Sequence, residues 1–185
     1  MTEARLIDAM VARAALDGWN DATLRAALRD IGEDPMLLDS HFPRGVAGAV
    51  ADWIALTDQR MEAAAAEEDL LALRVPARIR RLIELRLRLI EPNFEALRAA
   101  IPVLALPWNI GLGLRATART ASAIWHAAGD SSADFSWYTR RLTLAAVYSA
   151  TLAYWLRPSL PDLDEVLAFL DRRLADIAPR RRASA

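Results

Sequence analysis

Few residues in this sequence have the side chains and the spacing that catalysis requires. The two histidines, His41 and His126, lie far apart and form no His-x-x-x-His or Glu-x-x-His pair, so no zinc site is predicted. The chain has no cysteine, which excludes thiolate chemistry, disulfides and Cys-based metal sites. Residues 111–113, Gly-Leu-Gly, lack the third glycine and the preceding strand of a dinucleotide-binding fingerprint. We therefore predict a protein that is not an enzyme and that holds no metal or cofactor.

One cation lies where the pattern calls for an apolar side chain. Placed at helical spacing, residues 76–90 form an apolar arc about 200° wide, and Arg86 falls inside it. An unpaired charge at such a position is costly. Arg86 is therefore either paired with an acid or carbonyl groups inside the protein, or it is a cation that meets a polar head group at the mouth of a pocket.

An aromatic stripe follows later in the chain. On one helix, Trp137, Arg141, Leu144, Tyr148 and Trp155 share a face. Such a stripe is typical of a hydrophobic core. Trp, Tyr and Arg together are also the residue types that dominate partner-binding surfaces. The local pattern leaves both interpretations open.

The elements that must position these residues are all helical. Apolar residues recur every three or four positions, β-branched runs are absent, and prolines and glycines mark the ends of segments. The pattern predicts about nine helices and no strand. The expected segments are residues 3–16, a helix from Asp21 or Thr23 to before Gly32, residues 35–41, 46–68 and 76–90, a short segment to Ala100, then residues 107–126, 134–155 and a helix from Asp162 or Asp164 to 177.

Composition narrows the class of protein further. With 54% hydrophobic residues the chain can bury a large core. Its net charge of −1 gives no excess of positive charge that would attract a polyanionic partner. The first residues lack a basic segment followed by an apolar one, so no targeting peptide is predicted. The longest apolar run, residues 101–114, is about half of what a membrane span needs. We expect a soluble, cytoplasmic protein.

The first three helices resemble the helix-turn-helix headpiece of TetR repressors. Residues 1–45 would form this headpiece, residues 46–178 a larger helical body that binds a ligand, and residues 179–185 a basic, disordered tail. In TetR repressors the third helix enters the DNA major groove. Here residues 33–39 carry three acids and no arginine, and five arginines against eight acids give the headpiece a charge of −3. DNA affinity depends on cations at the phosphates, so we expect that this headpiece does not bind DNA.

Several motifs together resemble the ninth Coq protein family of ubiquinone biosynthesis. The most specific is Asp-Phe-Ser-Trp-Tyr-Thr-Arg-Arg at residues 134–141, followed by Leu-Ala-Ala-Val-Tyr at 144–148. The other motifs occur in the family's order, and the resemblance extends to about Ile177. They are Gly18-Trp19, His41-Phe-Pro43, Leu85-Arg-Leu-Arg-Leu89, Leu106-Pro-Trp-Asn109, Trp125-His-x-Ala-Gly-Asp130 and Phe169-Leu-Asp-Arg-Arg173.

The resemblance implies a TetR-like all-α bundle that has lost DNA binding. It implies a homodimer that holds an isoprenoid quinone or a phospholipid and presents a ubiquinone intermediate to a di-iron hydroxylase. Its partner-binding residues would be Asp134, Trp137, Tyr138 and Arg141. Geometry on the predicted helices suggests the residues nearest the lipid, which are Leu82, Leu85, Arg86, Leu89, Ile110, Leu114, Leu144 and Tyr148. We expect a bacterial protein in the cytoplasm, at most peripheral to the inner membrane.

Two other functions stay open at this stage. A TetR-type repressor with an apolar effector fits the fold but not the acidic headpiece. The other function is an enzyme of isoprenoid metabolism, but the sequence lacks the catalytic motifs that such an enzyme needs. Eukaryotic members of the family dock on membranes through an amphipathic helix after the last core helix, whereas this chain ends in Pro-Arg-Arg-Arg-Ala-Ser-Ala. The basic tail would touch anionic lipid weakly, at about 1 kcal/mol per Arg, so docking would need another surface.

Overall fold

The computed structural model describes residues 3–129 and 135–177, and these residues form helices and no strand. The helices are α1 Glu3–Asp17, α2 Asp21–Asp30, α3 Leu38–His41, α4 Gly45–Ala66, α5 Val75–Ile90, α6 Phe94–Ala105, α7 Ile110–Ala127, α8 Phe135–Trp155 and α9 Leu163–Ile177. Short 3-10 turns precede α3, α5 and α6. The prediction of an all-helical protein is confirmed.

Local capping explains where several helices begin. Asn20 accepts a hydrogen bond from the Thr23 amide at 2.9 Å and so caps α2, which corrects the expected cap at Asp21 or Thr23. Asp162 and Glu165 cap α9 reciprocally, each side chain accepting from the other residue's amide, at 2.9 and 3.2 Å. Such caps satisfy amides that lack a partner in the first helical turn.

The α6–α7 boundary differs from the prediction. Residues up to 100 were expected to be a short segment, and a helix was expected from Pro107. Instead α6 continues to Ala105 with Pro102 inside it, and α7 begins only at Ile110. The reason is the Asn109 side chain, whose Nδ2 donates to the Val103 carbonyl at 2.9 Å. That bond satisfies a carbonyl at the end of α6 and makes residues 106–109 a turn.

One hydrophobic core runs through the headpiece and the body. Helix α1 packs on α2, α4 and α6, while α4 packs on α5 and α7, and α8 packs between α7 and α9. Trp19 links the two parts, because its indole Nε1 donates to the Ala96 carbonyl at 2.9 Å and its ring lies 5.8 Å from that of Trp53. The helices that carry the central residues are therefore held from both sides.

A cluster of arginines surrounds one buried glutamate on α5. Glu84 is buried beneath Arg80, Arg81 and Arg88, which all bond to its carboxylate. Burial alone would raise the pKa of Glu84. Hydrogen bonds from Arg88 and Arg81, and the charges of Arg80 and Arg81, outweigh burial and lower that pKa from its usual 4.5. Glu84 is therefore an ionised anchor for this face of α5.

Candidate functional site: a central apolar cavity with a polar corner

The centre of the body contains a cavity of about 90 Å³. Helices α4 to α8 all contribute to its wall, which is mostly apolar. The apolar lining consists of Trp53, Ile54, Ile90, Leu97, Ala100, Ile101, Leu104, Gly113 and Leu152. The polar lining consists of Thr57, Arg86, Thr117, Thr120 and Tyr148. The cavity therefore suits a mainly hydrocarbon ligand with a polar group at one end.

A buried hydrogen-bond network forms the polar corner. Arg86, only 2% exposed, donates from Nε to Asp58 Oδ1 at 2.7 Å and from Nη1 to the Tyr148 hydroxyl. The Thr120 hydroxyl donates to Asp58 Oδ2 at 2.9 Å. The Arg86 guanidinium also lies 5.0 Å from the centre of the Tyr148 ring. Asp58, Tyr148 and Thr120 thus hold the cation in one orientation.

The charge states in this corner follow from burial and pairing. Burial alone would lower the pKa of Arg86, but the facing Tyr148 and Asp58 raise it, so the guanidinium stays charged. Burial raises the pKa of the Tyr148 phenol, and the charge of Arg86 counters this only in part. The corner therefore presents a fixed cation and a neutral phenol. Both are groups that bind oxygen atoms by hydrogen bonds.

The two interpretations of Arg86 meet in this geometry. The residue is paired with an acid, as the first interpretation expected, and it also lines the cavity, as the second required. A guanidinium has five N–H donors, and the bonds to Asp58 and Tyr148 use two of them. Arg86 therefore has donor capacity for a polar group that enters the cavity.

The cavity approaches the surface between α6 and α7. Ile101 lines the cavity and is also 40% exposed, and Leu104 on the same helix is partly buried. In its present form the cavity is small, since an engineered cavity of about 150 Å³ is what admits one benzene molecule. A ligand with a long hydrocarbon chain must therefore widen the cavity or leave part of its chain outside.

The structure separates the residues that were predicted to bind lipid. Arg86 and Tyr148 line the central cavity, whereas Leu82 is fully buried in the core. Leu85 and Leu89 are partly buried against that core. The other three lie elsewhere: Leu144 lines a second pocket, and Ile110 and Leu114 are exposed at the α6–α7 corner.

That second pocket has a volume of about 330 Å³ and lies between α5, α7, α8 and α9. Its wall is largely apolar and includes Ile79, Trp125, Leu144 and Leu174. The indole Nε1 of Trp125 is buried there without a hydrogen-bond partner among the described residues. The central cavity is the better-defined site.

The residues predicted to bind a partner fall partly outside the described chain. Asp134 lies outside it, as does the predicted tail, and of Trp137 only the helical backbone is described. Tyr138 is 69% exposed on α8 and lines a groove of about 540 Å³ between α7 and α8. Arg141 lines the same groove and donates from Nε to the Ser122 hydroxyl at 3.0 Å.

Two residues of the polar corner were missed at the level of sequence. Asp58 lies on α4 with Ile54 four residues before it and Met61 three residues after it, so it shares their buried face. That signal is the same as the one that identified Arg86. Thr120 offered no such signal, because threonine is tolerated in helix interiors without a special role.

The described residues do not meet the requirements of a metal site or of a membrane-spanning helix. No group of three or more His, Asp or Glu side chains there could hold a metal ion. Both histidines are exposed. No helix in residues 3–129 and 135–177 is long and apolar enough to cross a membrane.

Comparison with known proteins supports the resemblance found in the sequence. Residues 110–179 match the COQ9 family model. The ubiquinone biosynthesis protein COQ9, mitochondrial, from Rattus norvegicus is 40% identical over 98 residues, which is 53% of this chain and 31% of that protein. A probable ubiquinone biosynthesis protein coq9, mitochondrial, from Dictyostelium discoideum is 26% identical over 166 residues, 86% of this chain and 54% of the relative. The chain thus spans about a third of the mammalian relative.

A solved structure shares the fold. The crystal structure of the TetR transcriptional regulator from Nitrosomonas europaea superposes with a TM-score of 0.72, covering 94% of this chain and 95% of that one, at 20% sequence identity. The prediction of a TetR-like helical bundle is confirmed. At this identity the likeness concerns the fold and not the function.

Proposed function

We propose that this chain, whose residues 110–179 match the COQ9 family model, takes part in ubiquinone biosynthesis. In this role it binds an isoprenoid quinone intermediate in the central cavity and does not itself catalyse a reaction. The observation that carries the proposal is the combination of an apolar cavity wall with the Arg86–Tyr148 corner. Two of the helices that form this cavity, α7 and α8, lie within residues 110–179, which match the COQ9 family model.

The cavity and the ligand are chemically complementary. Quinone and phenol oxygens accept hydrogen bonds, and the Arg86 guanidinium offers charged N–H donors at the buried end of the cavity. Isoprene units contain only hydrocarbon, which the leucine and isoleucine wall accepts without leaving a polar group unpaired. The ring of the ligand would therefore lie toward Arg86 and the isoprenoid chain toward α6 and α7.

Binding requires part of the bundle to move. At about 90 Å³ the cavity is too small for a polyisoprenoid chain, so the chain would extend through the opening beside Ile101. Helix α6 is the element best placed to yield, because Pro102 interrupts its hydrogen bonds and Ile101 is already exposed. Widening at α6 leaves the ion pair between α4 and α5 in place.

The groove between α7 and α8 is the proposed surface for the hydroxylase that receives the intermediate. Tyr138 and Leu142 are exposed there, and Arg115, Arg119 and Arg141 border it. Tyrosine and arginine are frequent anchors of protein interfaces. The proposal includes a homodimer, as the resemblance implies, and sedimentation of the purified protein measures this directly.

Lipid extraction and mass spectrometry of the purified protein test the proposal. We expect an isoprenoid quinone or a precursor to co-purify with the wild type, and Gly113→Leu to reduce its yield. An added Cβ at Gly113 would lie 3.5 Å from the Leu104 Cβ, an ordinary contact, so the backbone accepts the leucine while its side chain fills the cavity.

Gly111→Leu is the matched control for this experiment. It adds the same side chain two residues earlier in α7, where the nearest atom to an added Cβ is Arg115 Nη1 at 3.7 Å. We expect its isoprenoid yield to equal that of the wild type. A wild-type protein without any isoprenoid, or equal loss in both variants, would refute binding in this cavity.

A further inference from the structure

The corner between α6 and α7 carries an exposed apolar surface. We call it the α6–α7 tip and define it as Ile101, Leu106, Trp108, Ile110 and Leu114. Trp108 is 77% exposed and Leu114 is 67% exposed. Several exposed large apolar side chains around one turn typically mark an interaction surface. The proposed function assigns no role to Trp108, which contributes nothing to the lining of the central cavity.

Along the chain, arginines and no acids flank the α6–α7 tip. The sequence holds no charged residue between Arg98 and Arg115, and no acid between Glu95 and Asp130. Arg115 is exposed, and its guanidinium folds back toward Gly111, within one turn of Trp108. Arg119 follows one turn later and is exposed, and its charge acts on Asp52 of α4. The tip is therefore an uncharged surface with Arg115 at its edge.

The α6–α7 tip is continuous with the central cavity. Ile101 belongs to the tip and also lines the cavity, and Leu104 and Gly113 line the cavity from the same two helices. An added Cβ at Gly113 would be only 3.5 Å from Leu104, so α6 and α7 meet closely at that point. A hydrocarbon chain that leaves the cavity beside Ile101 emerges next to the tip.

We propose that the α6–α7 tip inserts into the interfacial region of an anionic lipid bilayer. Trp108, Ile110 and Leu114 enter the boundary between head groups and acyl chains, and Arg115 contacts lipid phosphates. Tryptophan sits preferentially at this depth, and arginines beside an apolar surface add attraction to anionic lipids. The tip then opens the cavity toward the acyl region, from which an isoprenoid reaches Arg86 without crossing water.

Two features favour a bilayer over another protein chain as the occupant. Arg115, at the edge of the tip and with no acid near it along the chain, complements anionic head groups, and the cavity opening leads to the same surface. The second feature rests on the proposed function, since only a membrane-soluble ligand needs such a route. The charge pattern and the exposure of Trp108 stand independently of it.

Co-sedimentation with phospholipid vesicles tests this inference. Vesicles of phosphatidylcholine, with and without phosphatidylglycerol, are mixed with the purified full chain. We expect binding that strengthens with phosphatidylglycerol and weakens with salt. A Trp108→Ser and Ile110→Ser double variant should bind at least about tenfold more weakly, since it removes most of the inserted apolar area. Circular dichroism checks that the variant folds.

The matched control removes exposed apolar side chains from the headpiece, away from the tip. Leu16→Ser with Met36→Ser removes two side chains that are 86% and 77% exposed, and the vesicle binding of this variant should equal that of the wild type. Quenching of tryptophan fluorescence by brominated lipid adds a local readout. Trp108→Phe should retain binding and lose most of the quenching.

Several outcomes would overturn the inference. These are a wild type that does not bind anionic vesicles, a control that loses as much binding as the tip variant, or a tip variant that changes only the oligomeric state. Isoprenoid extraction on the same preparations separates the two proposals. If the protein retains isoprenoid but does not bind vesicles, only the insertion of the α6–α7 tip into a bilayer is overturned. If it binds vesicles but contains no isoprenoid, insertion of the tip is supported and the proposed function is contradicted.

Discussion

An Arg86→Met substitution leaves the Asp58 carboxylate buried without the cation that now lies 2.7 Å away. Methionine fills most of the space of the arginine stem, so the change acts mainly on the charge. The side chains of the pair are only 3% and 10% exposed, which prevents water from replacing the lost partner. Breaking a buried ion pair from one side destabilises proteins by about 3–5 kcal/mol. For a chain of this size that lowers the melting temperature by roughly 10 °C.

Urea unfolding followed by far-UV circular dichroism measures this loss. Arg88→Met is the matched control, because it makes the same substitution two residues later on α5. Arg88 pairs with Glu84 at 2.9 Å, but its side chain is 50% exposed. Arg80 and Arg81 still pair with Glu84 after this substitution, so the buried carboxylate keeps cationic partners. We therefore expect the control to unfold at nearly the urea concentration of the wild type.

The double variant Arg86→Met with Asp58→Asn completes the test. Because the uncompensated charge is gone, the two substitutions together should cost about 0.5–3 kcal/mol less than the sum of the single substitutions. Asparagine keeps an oxygen that accepts from Thr120, so that bond is retained. If Arg86→Met costs no more than Arg88→Met, or if the effects of the two substitutions simply add, the reasoning about the polar corner is wrong.

Further substitutions test the other parts of the molecule. Tyr148→Phe removes the hydroxyl that accepts from Arg86 and should lower isoprenoid retention severalfold. Tyr154→Phe, at a residue that does not line the cavity, should leave retention unchanged. Equal retention in the two variants would contradict the proposed position of the quinone ring beside Arg86. Glu84 has a lowered pKa, so it binds its proton more weakly in the native state than in the unfolded state. Its stabilising effect is therefore present above pH 4.5 and is lost as the pH falls through the native pKa. Glu84→Gln should flatten this acid limb in urea titrations, and an unchanged limb would refute its origin. Tyr138→Ser should weaken capture of the pathway hydroxylase in pull-downs without lowering isoprenoid content. The full chain should give no salt-dependent shift of the gene's own promoter DNA, because the headpiece, residues 1–45, is acidic, and a specific shift would favour a repressor.

Much of the fold follows from local sequence patterns. Asp17-Gly18, Gly32 and Pro76 mark helix ends because glycine accepts the positive φ of a helix terminus and proline lacks an amide, and the observed boundaries lie within a residue or two of these positions. The acidic headpiece and the absence of metal-binding spacing are equally visible in the sequence. These features depend on neighbouring residues alone.

The α6–α7 turn shows where local patterns fail. A short segment to Ala100 and a helix from Pro107 were predicted, yet α6 continues through Pro102 to Ala105 and α7 begins only at Ile110. The outcome depends on Asn109, whose side chain reaches back six residues to a carbonyl on α6. A hydrogen bond formed after the chain has turned cannot be deduced from periodicity.

Helical periodicity is enough to show that Arg86 needs a partner, because its position inside an apolar arc makes an unpaired charge too costly. The identity of that partner depends on how the helices pack. Asp58 lies 28 residues away, and Tyr148 and Thr120 are each 62 residues from the group they contact. The same holds for the cavity, since its wall comes from five helices whose packing no single amphipathic pattern specifies. Periodicity tells which face of a helix is buried, while the identity of the facing side chain depends on how all the helices pack together.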